Sequence, residues 1–473
     1  MKKAIALILS VVMMLALAVI PAFATVAPNT GTITINLPSQ EIAPTASTTY
    51  TLYKVFDATV GANGNISYKR LAGSESVALP TGFSVDTAGN VTHAGTATAL
   101  TDTEIAAIAA YISAMQAAGV TVPTTTATAA AGATSVDATV PYGYYYITTT
   151  NGSVVTVDST TPNATVNDKN FIPKVVKSAG TEYNDAAKKA IAQVGTDQPF
   201  TAKVTVGKGT TKLVFTDTMT NMTYNSDAKV YVGGNEVTAA ADKFTVEAIT
   251  GGFKITFVDA YIASLITDTV TSADIVIKYS GKVTSDALST NPAENTATIT
   301  SGDNGNSSSD VVKVYNAKFT VTKEDGSNAA LAGAGFIVSR TSVVNNANVT
   351  EYYKLANGVV TWVTNKADAT MYVSGDDGAV TAFTGLGAGV YTLIEEQVPN
   401  GYNKAADLEF TISNSDYTTT NLEQTATVIN NEGVELPSTG GIGTKIFIAL
   451  GSVIAVAASV IIVTNKRAKK EEI

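Results

Sequence analysis

The C-terminal end of the chain combines an apolar run with a basic tail. The run extends from Ile442 to Val463 and is interrupted only by Lys445. It is long enough to cross a bilayer as a helix, because about 20 apolar residues span the hydrocarbon core. Four basic residues follow at once: Lys466, Arg467, Lys469 and Lys470. Since basic residues favour the cytoplasmic side, the sequence predicts a transmembrane helix whose short tail stays in the cytoplasm.

A five-residue motif stands directly before this helix. It consists of Leu436, Pro437, Ser438, Thr439 and Gly440. Motif, apolar run and basic tail together (436–473) resemble the Leu-Pro-x-Thr-Gly sorting signal of proteins that a sortase attaches to the Gram-positive cell wall. The resemblance implies that sortase cuts between Thr439 and Gly440, carries the Thr439 acyl group on its own cysteine and passes it to an amine. The alternative is an ordinary single-span membrane protein.

The first residues indicate export. Two lysines, an apolar segment from Ala4 to Ile20, and the sequence Ala22-Phe23-Ala24 have the pattern of a secretory signal peptide over 1–24. The expected mature chain runs from Thr25 to Thr439, which is enough for about three domains of ordinary size.

Composition excludes several classes of protein. The chain has no cysteine, so it cannot use disulfides, a thioester or a thiol nucleophile. Its net charge of −10 argues against nucleic acid and anionic lipid as partners. Its content of Thr and Val, its 20 Tyr and its scarcity of helical periodicity predict a mainly β protein.

The mature chain divides into three segments. Over 25–170, strand-like alternation at Thr32–Asn36 and Tyr50–Phe56 is followed by a capping box at Thr101–Glu104. That box opens a helix whose apolar face holds Ile105, Ile108, Ile112 and Met115. The segments 171–315 and 316–435 show strands with frequent turn signals. The polar stretch Ser301–Asp310 marks the end of the second as a loop by composition. We expect three tandem immunoglobulin-like β-sandwich domains.

The last two segments share an arrangement of polar residues on apolar strand faces. In the third, alternation places Lys323, Glu395 and Asn430 with apolar neighbours, and in the second it places Lys177, Asp217 and Asn295 likewise. Each would be expensive to bury without a partner. The neighbouring Glu396 and Asn431 point to the opposite faces. The alternative is a surface salt bridge with ordinary polar residues on strands.

These residues fall within recognisable motifs. The third segment resembles the Cna protein B-type domains that form internal Lys–Asn isopeptide bonds, through Val321–Asp325, Leu331–Ala334 and the E-box Tyr391–Tyr402. The second resembles the isopeptide-forming second domain of fimbrial shaft subunits, through Asn167–Asn170, Phe215–Asp217 and Asn295–Ala297. The resemblance implies bonds from Lys323 to Asn430 and from Lys177 to Asn295, promoted by Glu395 and Asp217.

The residue types suit this chemistry. Desolvation favours the neutral, nucleophilic form of a buried lysine and the protonated form of a buried carboxyl group. The acid can hydrogen-bond the asparagine carboxamide and transfer protons as ammonia leaves. Folding supplies the proximity of the reacting groups.

The resemblance to fimbrial shaft subunits implies one further site, a lysine that accepts the Thr439 acyl group of another subunit. Polymerised pilins resemble one another in a lysine, usually within Tyr-Pro-Lys, before or inside the second domain. The corresponding sequence here is Ile172-Pro173-Lys174, in which Ile replaces Tyr. Lys174 and Lys177 are three apart on an extended strand and point to opposite faces, so Lys174 would face solvent. Lys169 is the rival acceptor.

Together these features predict the shaft subunit of a sortase-assembled pilus on the cell surface. An accessory pilin or a monomeric wall-anchored adhesin is the alternative. A wall-anchored hydrolase is disfavoured, because the single histidine, His93, stands in a loop-like sequence without a plausible Ser/Asp set. Expected partners are sortase, other copies of the chain, accessory pilins, peptidoglycan and a host ligand. We expect no metal, no cofactor, no nucleic acid and no enzyme activity beyond formation of the chain's own cross-links.

The two end signals predict the processed form. Wall-linked protein should begin at Thr25 and contain no peptide beyond Thr439, because signal peptidase and sortase remove the two ends. Mass spectrometry of material released from the wall by a muralytic enzyme measures both termini. Recovery of peptides from 440–473 in that material would contradict sorting at Thr439.

Overall fold

A computed structural model describes residues 30–38, 43–61, 65–94, 100–159, 163–267, 269–287, 290–415 and 417–433. The signal peptide, the sorting motif and the C-terminal apolar run lie outside these ranges. The described chain is mainly β, which confirms the expected fold class. Among the described residues, no helix has the length and apolar character needed to cross a membrane.

The described residues form two compact units. The first holds the residues up to Tyr315, apart from two short segments. The second holds the residues from Asn316 onward together with Gln193–Gly195 and Thr290.

The first half of the first unit has two sheets and one long helix. One sheet has the strand order β10-β1-β7, and the other has the order β4-β5-β3-β2-β8-β9 with β6 also paired to β2. The strands are β1 (Thr30–Asn36), β2 (Thr48–Val60), β3 (Ile66–Arg70), β4 (Phe83–Val85), β5 (Val91–His93), β6 (Thr124–Ala129), β7 (Ser135–Pro141), β8 (Gly143–Thr149), β9 (Gly152–Ser159) and β10 (Asn163–Asn167).

The helix, α1 (Asp102–Ala117), begins as the sequence predicts. The backbone N–H of Glu104 donates to the Thr101 hydroxyl at 3.3 Å, and the Thr101 N–H donates to the Glu104 carboxylate at 2.8 Å. This reciprocal pair satisfies two amides that no helical carbonyl can reach. The buried face holds Ile108, Tyr111, Ile112 and Met115.

The second half of the first unit is a sandwich of two six-stranded sheets. Their orders are β11-β13-β20-β16-β17, with β15 paired to β20, and β12-β22-β21-β14-β19-β18. The elements are β11 (Lys174–Ala179), β12 (Lys189–Ile191), β13 (Asp197–Gly207), β14 (Val214–Thr220), β15 (Met222–Tyr224), β16 (Lys229–Val232), β17 (Asn235–Val237), β18 (Phe244–Ile249), β19 (Gly252–Phe257), α2 (Asp259–Ser264), β20 (Ser272–Val283), β21 (Ala293–Ser301) and β22 (Asn306–Tyr315).

The polar stretch 301–310 is not the loop expected from its composition. Its first residue ends β21, a turn follows, and residues from Asn306 onward form β22 in antiparallel register with β21. Gly302 and Gly305, both with positive φ, allow the tight turn. The prediction was wrong because backbone pairing needs no apolar side chains. Two polar side chains of β22 accept hydrogen bonds from backbone amides of the edge strand β11. The Ser308 hydroxyl accepts from the Val175 N–H, and the Asp310 carboxylate accepts from the Lys177 N–H.

A buried polar network lies elsewhere in the first unit. The Asp168 carboxylate accepts hydrogen bonds from the Tyr50 hydroxyl at 2.8 Å, from the Asn151 amide at 2.7 Å and from the Asn170 amide at 2.7 Å. The amide oxygen of Asn151 accepts in turn from Asn304 and Asn306, at 2.9 and 3.1 Å. The network therefore ties the β8–β9 turn to the β21–β22 turn.

The second unit is a smaller sandwich. Its sheets have the orders β28-β23-β31 and β26-β25-β24-β29-β30, with β27 paired to β24. The elements are β23 (Ala317–Asp325), β24 (Gly335–Val344), β25 (Ala347–Ala356), β26 (Val359–Val363), a 3₁₀ turn (Lys366–Asp368), β27 (Tyr372–Val373), β28 (Ala379–Leu386), β29 (Gly389–Gln397), β30 (Leu408–Ile412), α3 (Thr419–Leu422) and β31 (Glu423–Asn430). Stacked rings of Phe319, Phe410 and Tyr391 form part of its core.

Candidate functional site

Strand alternation directs the lysine, the acid and the asparagine of the second segment into the core. Lys177 on β11, Asp217 on β14 and Asn295 on β21 are each 0% exposed. β11 belongs to one sheet of the sandwich, whereas β14 and β21 are neighbours in the other. The lysine therefore reaches across the core towards the acid and the amide.

The lysine amine and the aspartate are in direct contact. Nζ of Lys177 lies 2.5 Å from Oδ2 of Asp217 and 2.5 Å from the hydroxyl oxygen of Tyr279. The Tyr279 hydroxyl donates to the same Asp217 oxygen. Phe200 and Tyr279 flank the amine, whose Nζ lies 5.0 Å from each ring centroid. Three polar groups thus meet inside an aromatic enclosure.

Burial sets the ionisation of this cluster. Desolvation lowers the pKa of Lys177 from 10.5 to about 8, although Asp217 partly opposes the change. Desolvation also raises the pKa of Asp217, although Lys177 partly opposes that shift. Both shifts favour a neutral amine beside a protonated acid, which is the state that amide formation requires.

Asn295 lies diagonally from Asp217 across the β14–β21 pairing. Met219 is opposite Asn295 and Asp217 is opposite Ala297, so the acid and the amide are two residues apart on one inward face. Neither amide atom of Asn295 makes a hydrogen bond of normal geometry within the described chain, and the same holds for Oδ1 of Asp217. Buried polar atoms in folded proteins nearly always have partners, so this carboxamide stands out.

The second unit brings its acid and asparagine together directly. The Asn430 amide donates to Oε1 of Glu395 at 2.7 Å, and the backbone N–H of Ala405 donates to Oε2 at 2.7 Å. Glu395 is 2% exposed and Asn430 is 1% exposed. Oδ1 of Asn430 has no hydrogen-bond partner among the described residues.

Lys323 lies beside this pair but does not touch it through a hydrogen bond. β23 and β31 are parallel neighbours, with Lys323 opposite Val428 and therefore two residues from Asn430 on the same face. Lys323 is 0% exposed, and its amine donates to the Glu324 carbonyl oxygen at 2.5 Å. Desolvation lowers its pKa, and Glu395 is the largest of the charges that oppose this shift.

Sequence reasoning missed two contributors to these sites. Tyr279 continues the inward alternation of Ile275 and Ile277 on β20, so a signal for it was present. The amide of Ala405 comes from the irregular segment between β29 and β30, and no local pattern points to it. The adjacent acid Glu396 is exposed and pairs with Lys366, which separates its surroundings from those of Glu395.

The two candidate acceptor lysines lie close together along the chain. Lys174 begins β11 and is half-buried, whereas Lys169 follows β10 and is exposed. The pattern of β11 places Lys174 and Lys177 on opposite faces. The sorting residues Leu436–Gly440 lie outside the described residues.

His93 ends β5 instead of standing in a loop. Its Nε2 lies 2.9 Å from the Glu104 carboxylate, and its ring packs edge-on against Phe83. The contact joins β5 to the first turn of α1, which gives the histidine a structural use.

Two family models match the C-terminal part of the chain. Residues 317–426 match the SpaA model, described as a prealbumin-like fold domain. Residues 429–472 match the model of the LPXTG cell wall anchor motif. The chain carries a cell-wall anchor signal. The expected LPXTG-type cell-wall anchor is thereby confirmed. The SpaA match lies within 316–435, where a β-sandwich domain is expected, and the bounds of the two segments stay predictions.

Solved structures of pilins resemble the chain. The T6 backbone pilin of serotype M6 Streptococcus pyogenes, which has a modular three-domain structure, is 17% identical over 81% of this chain and 80% of that one, with a TM-score of 0.50. The full-length RrgB pilus protein from Streptococcus pneumoniae is 13% identical over 87% of this chain and 99% of its own, with a TM-score of 0.47.

A third pilin structure is more similar in sequence over a shorter part. The pilus 2b backbone protein of group B streptococcus is 27% identical over 55% of this chain and 99% of its own, with a TM-score of 0.44. No curated protein matches the sequence. The similarity to the T6 pilin shows a shared fold.

The pKa of the buried Lys177 amine can be measured in a variant that lacks the Asn295 carboxamide. In an Asn295→Ala variant, the Lys177 amine should titrate near pH 8, because its core disfavours the charged form. Adding Asp217→Asn should lower the midpoint further, since the aspartate raises the pKa of Lys177. ¹³C NMR of the lysine ε-carbon measures both midpoints. A midpoint close to 10.5 for Asn295→Ala would show that the amine is solvated.

Proposed function

We propose that this protein is the shaft subunit of a covalently polymerised cell-surface pilus. Sortase cleaves after Thr439 and joins its acyl group to Lys174 of another copy, with Lys169 as the rival acceptor. The last subunit is joined to peptidoglycan, and accessory pilins share the polymer. The protein is a substrate of sortase and a structural component, and its own chemistry is limited to internal cross-links.

One observation carries the proposal. Two consecutive β-sandwiches each bury a lysine, an acid and an asparagine, and the chain ends in a cell-wall anchor. Burying such polar and ionisable groups costs free energy unless they are paired. A wall-anchored polymer under shear has a use for them, because they can become covalent cross-links.

The proposed reaction converts two side chains into one amide. The neutral lysine Nζ attacks Cγ of the asparagine, the new C–N bond forms, and the bond from Cγ to Nδ2 breaks. One amine proton is transferred through the carboxyl group to Nδ2, which leaves as ammonia, and the acid ends unchanged. The pairs are Lys177 with Asn295, promoted by Asp217, and Lys323 with Asn430, promoted by Glu395.

The T6 pilin supports this assignment through its fold alone, since its sequence is only 17% identical. An accessory pilin or a monomeric adhesin would share the anchor but would need no acceptor lysine. A hydrolase would need a catalytic set, and the contact of His93 with the helix-capping Glu104 does not supply one.

Intact mass tests the internal bonds. Recombinant protein of residues 25–439 should be lighter than its sequence mass by two ammonia molecules. Glu395→Ala should restore one and Asp217→Ala the other, because each acid promotes one bond. Glu396→Ala, at the exposed neighbouring acid, is the matched control and should leave both losses in place. A mass equal to the sequence mass would remove both assignments.

Each bond should also stabilise its domain. The sequence separations from Lys177 to Asn295 and from Lys323 to Asn430 both exceed a hundred residues. By the chain-entropy model for disulfides, closing such a loop contributes roughly 4–5 kcal/mol.

Polymerisation on the cell tests the function. Lys174→Ala should abolish the ladder of high-molecular-weight species on SDS gels and leave monomer on the wall, because the Thr439 acyl group loses its acceptor. Lys229→Ala, at an exposed lysine in the same domain, is the control and should leave the ladder intact. If the ladder persists in Lys174→Ala but disappears in Lys169→Ala, the acceptor is Lys169. Wild-type protein that stays monomeric in the presence of its sortase would contradict the shaft assignment.

A further inference from the structure

The hydroxyl of Tyr279 belongs to the Lys177 site but has no role in the reaction described above. Tyr279 lies on β20 and is 4% exposed. Its ring packs edge-on against Phe253, with centroids 4.9 Å apart, and at a tilt against Phe200, with centroids 5.9 Å apart. Rings on two sides hold the direction of the side chain, so packing places the hydroxyl at the Lys177 amine.

The hydrogen bonds at this point form a closed triangle. The Lys177 amine donates to the Tyr279 oxygen and to Oδ2 of Asp217, both at 2.5 Å, and the Tyr279 hydroxyl donates to that same carboxyl oxygen. A neutral amine has two N–H bonds and one lone pair. When Tyr279 and Asp217 accept both N–H bonds, only the lone pair remains, and its direction is set by the other two contacts.

The remaining polar atoms of the site are those of the reaction partner. Both amide atoms of Asn295 and Oδ1 of Asp217 lack hydrogen bonds of normal geometry within the described residues. Asn295 nevertheless lies close to both Tyr279 and Asp217, because a side-chain contact with its carboxamide lowers the pKa of each group, although burial outweighs this effect. The carboxamide is therefore adjacent to the triangle.

We propose that Tyr279 is a positioning residue for the bond between Lys177 and Asn295. Its hydroxyl holds one N–H of the neutral amine so that the nitrogen lone pair faces the Asn295 carboxamide. The inference rests on the proposed cross-link and adds a fourth residue to it. Tyr279 is neither consumed nor oxidised: as Nζ bonds to Cγ and ammonia leaves, Asp217 transfers the proton, and the tyrosine keeps its own.

The site in the second unit has a different support. Glu395 is held by the Ala405 backbone amide and by Asn430 itself, and the Lys323 amine donates to the Glu324 carbonyl. Among the hydrogen bonds of the described residues, none joins Lys323 to a tyrosine. The same molecule thus contains one proposed cross-link with a tyrosine hydroxyl and one without. The rate at which the second forms serves as an internal reference for the first.

The test follows both bonds with time. The chain of residues 25–439 is made by cell-free synthesis, quenched at intervals, and analysed by intact mass and peptide mapping. Tyr279→Phe should slow formation of the Lys177–Asn295 bond by about 10- to 100-fold, the range expected when a reacting group is poorly oriented. The Lys323–Asn430 bond in the same molecules should form at the wild-type rate.

Two further variants separate positioning from packing. Phe200→Leu disturbs the same aromatic enclosure but keeps the hydroxyl, so it should slow the bond far less than Tyr279→Phe. Site-specific 3-fluorotyrosine at 279 keeps the hydroxyl and should restore the rate. If Tyr279→Phe does not fold, 4-fluorophenylalanine at 279 fills the same space without an O–H, and it should show the same slow reaction. Thermal unfolding in an Asn295→Ala background compares the stability of Tyr279→Phe and Phe200→Leu before cross-linking.

The outcomes distinguish the inference from the function it rests on. Wild-type rates in Tyr279→Phe or in the 4-fluorophenylalanine variant would overturn the role of Tyr279 alone. Equal slowing by Phe200→Leu and Tyr279→Phe, without rescue by 3-fluorotyrosine, would also overturn it, because packing would then explain the effect. Absence of any ammonia loss in the wild-type domain would overturn the cross-link itself.

Discussion

Placing a lysine amine inside a β-sandwich disfavours its charged form, and both candidate sites depend on this constraint. At Lys177, burial away from water lowers the pKa of the amine, and burial also raises the pKa of Asp217. A permanently buried ion pair contributes little net stability, because desolvation offsets the attraction. Conversion of the amine and the carboxamide into an amide would remove the buried ionisable amine altogether.

Two buried clusters in the first unit, around Asp168 and around Asp217, contain similar residue types but differ in how completely their polar atoms are hydrogen-bonded. In the network around Asp168, tyrosine and asparagine side chains satisfy the carboxylate, and both the nitrogen and the oxygen of the Asn151 amide have hydrogen-bond partners. At Asp217, one carboxyl oxygen and both amide atoms of Asn295 have no regular partner in the described chain. A satisfied network rigidifies a structure, whereas an unsatisfied one retains groups that can react. Hydrogen-bond satisfaction, more than residue type, separates the structural cluster at Asp168 from the cluster at Asp217 that we propose to be reactive.

Strand periodicity predicts much of this arrangement, because a period of two decides which side chains enter the core. It selects Glu395 over Glu396 and turns Lys177 inward without any knowledge of the sheets. It cannot show which strands face one another, so the contact of Tyr279 with Lys177 emerges only from the folded chain. The Ala405 amide and the strand at Asn306–Asp310 were missed for related reasons: one depends on long-range packing, and the other on backbone pairing that polar side chains conceal.

The positions of the buried lysines and asparagines have a mechanical consequence. Lys177 lies on β11, the strand that begins at the candidate acceptor Lys174. Asn295 lies near the start of β21, and Lys323 and Asn430 lie on β23 and β31. With both amides formed, tension applied between Lys174 and Thr439 would pass from Lys177 directly to Asn295 and from Lys323 directly to Asn430. Only residues 296–322 and 431–439 would then transmit force through backbone alone, apart from the short entry at 174–177. Residues before the acceptor would carry no tension through the covalent chain, so that part of the protein would be free to vary its surface without weakening the fibre.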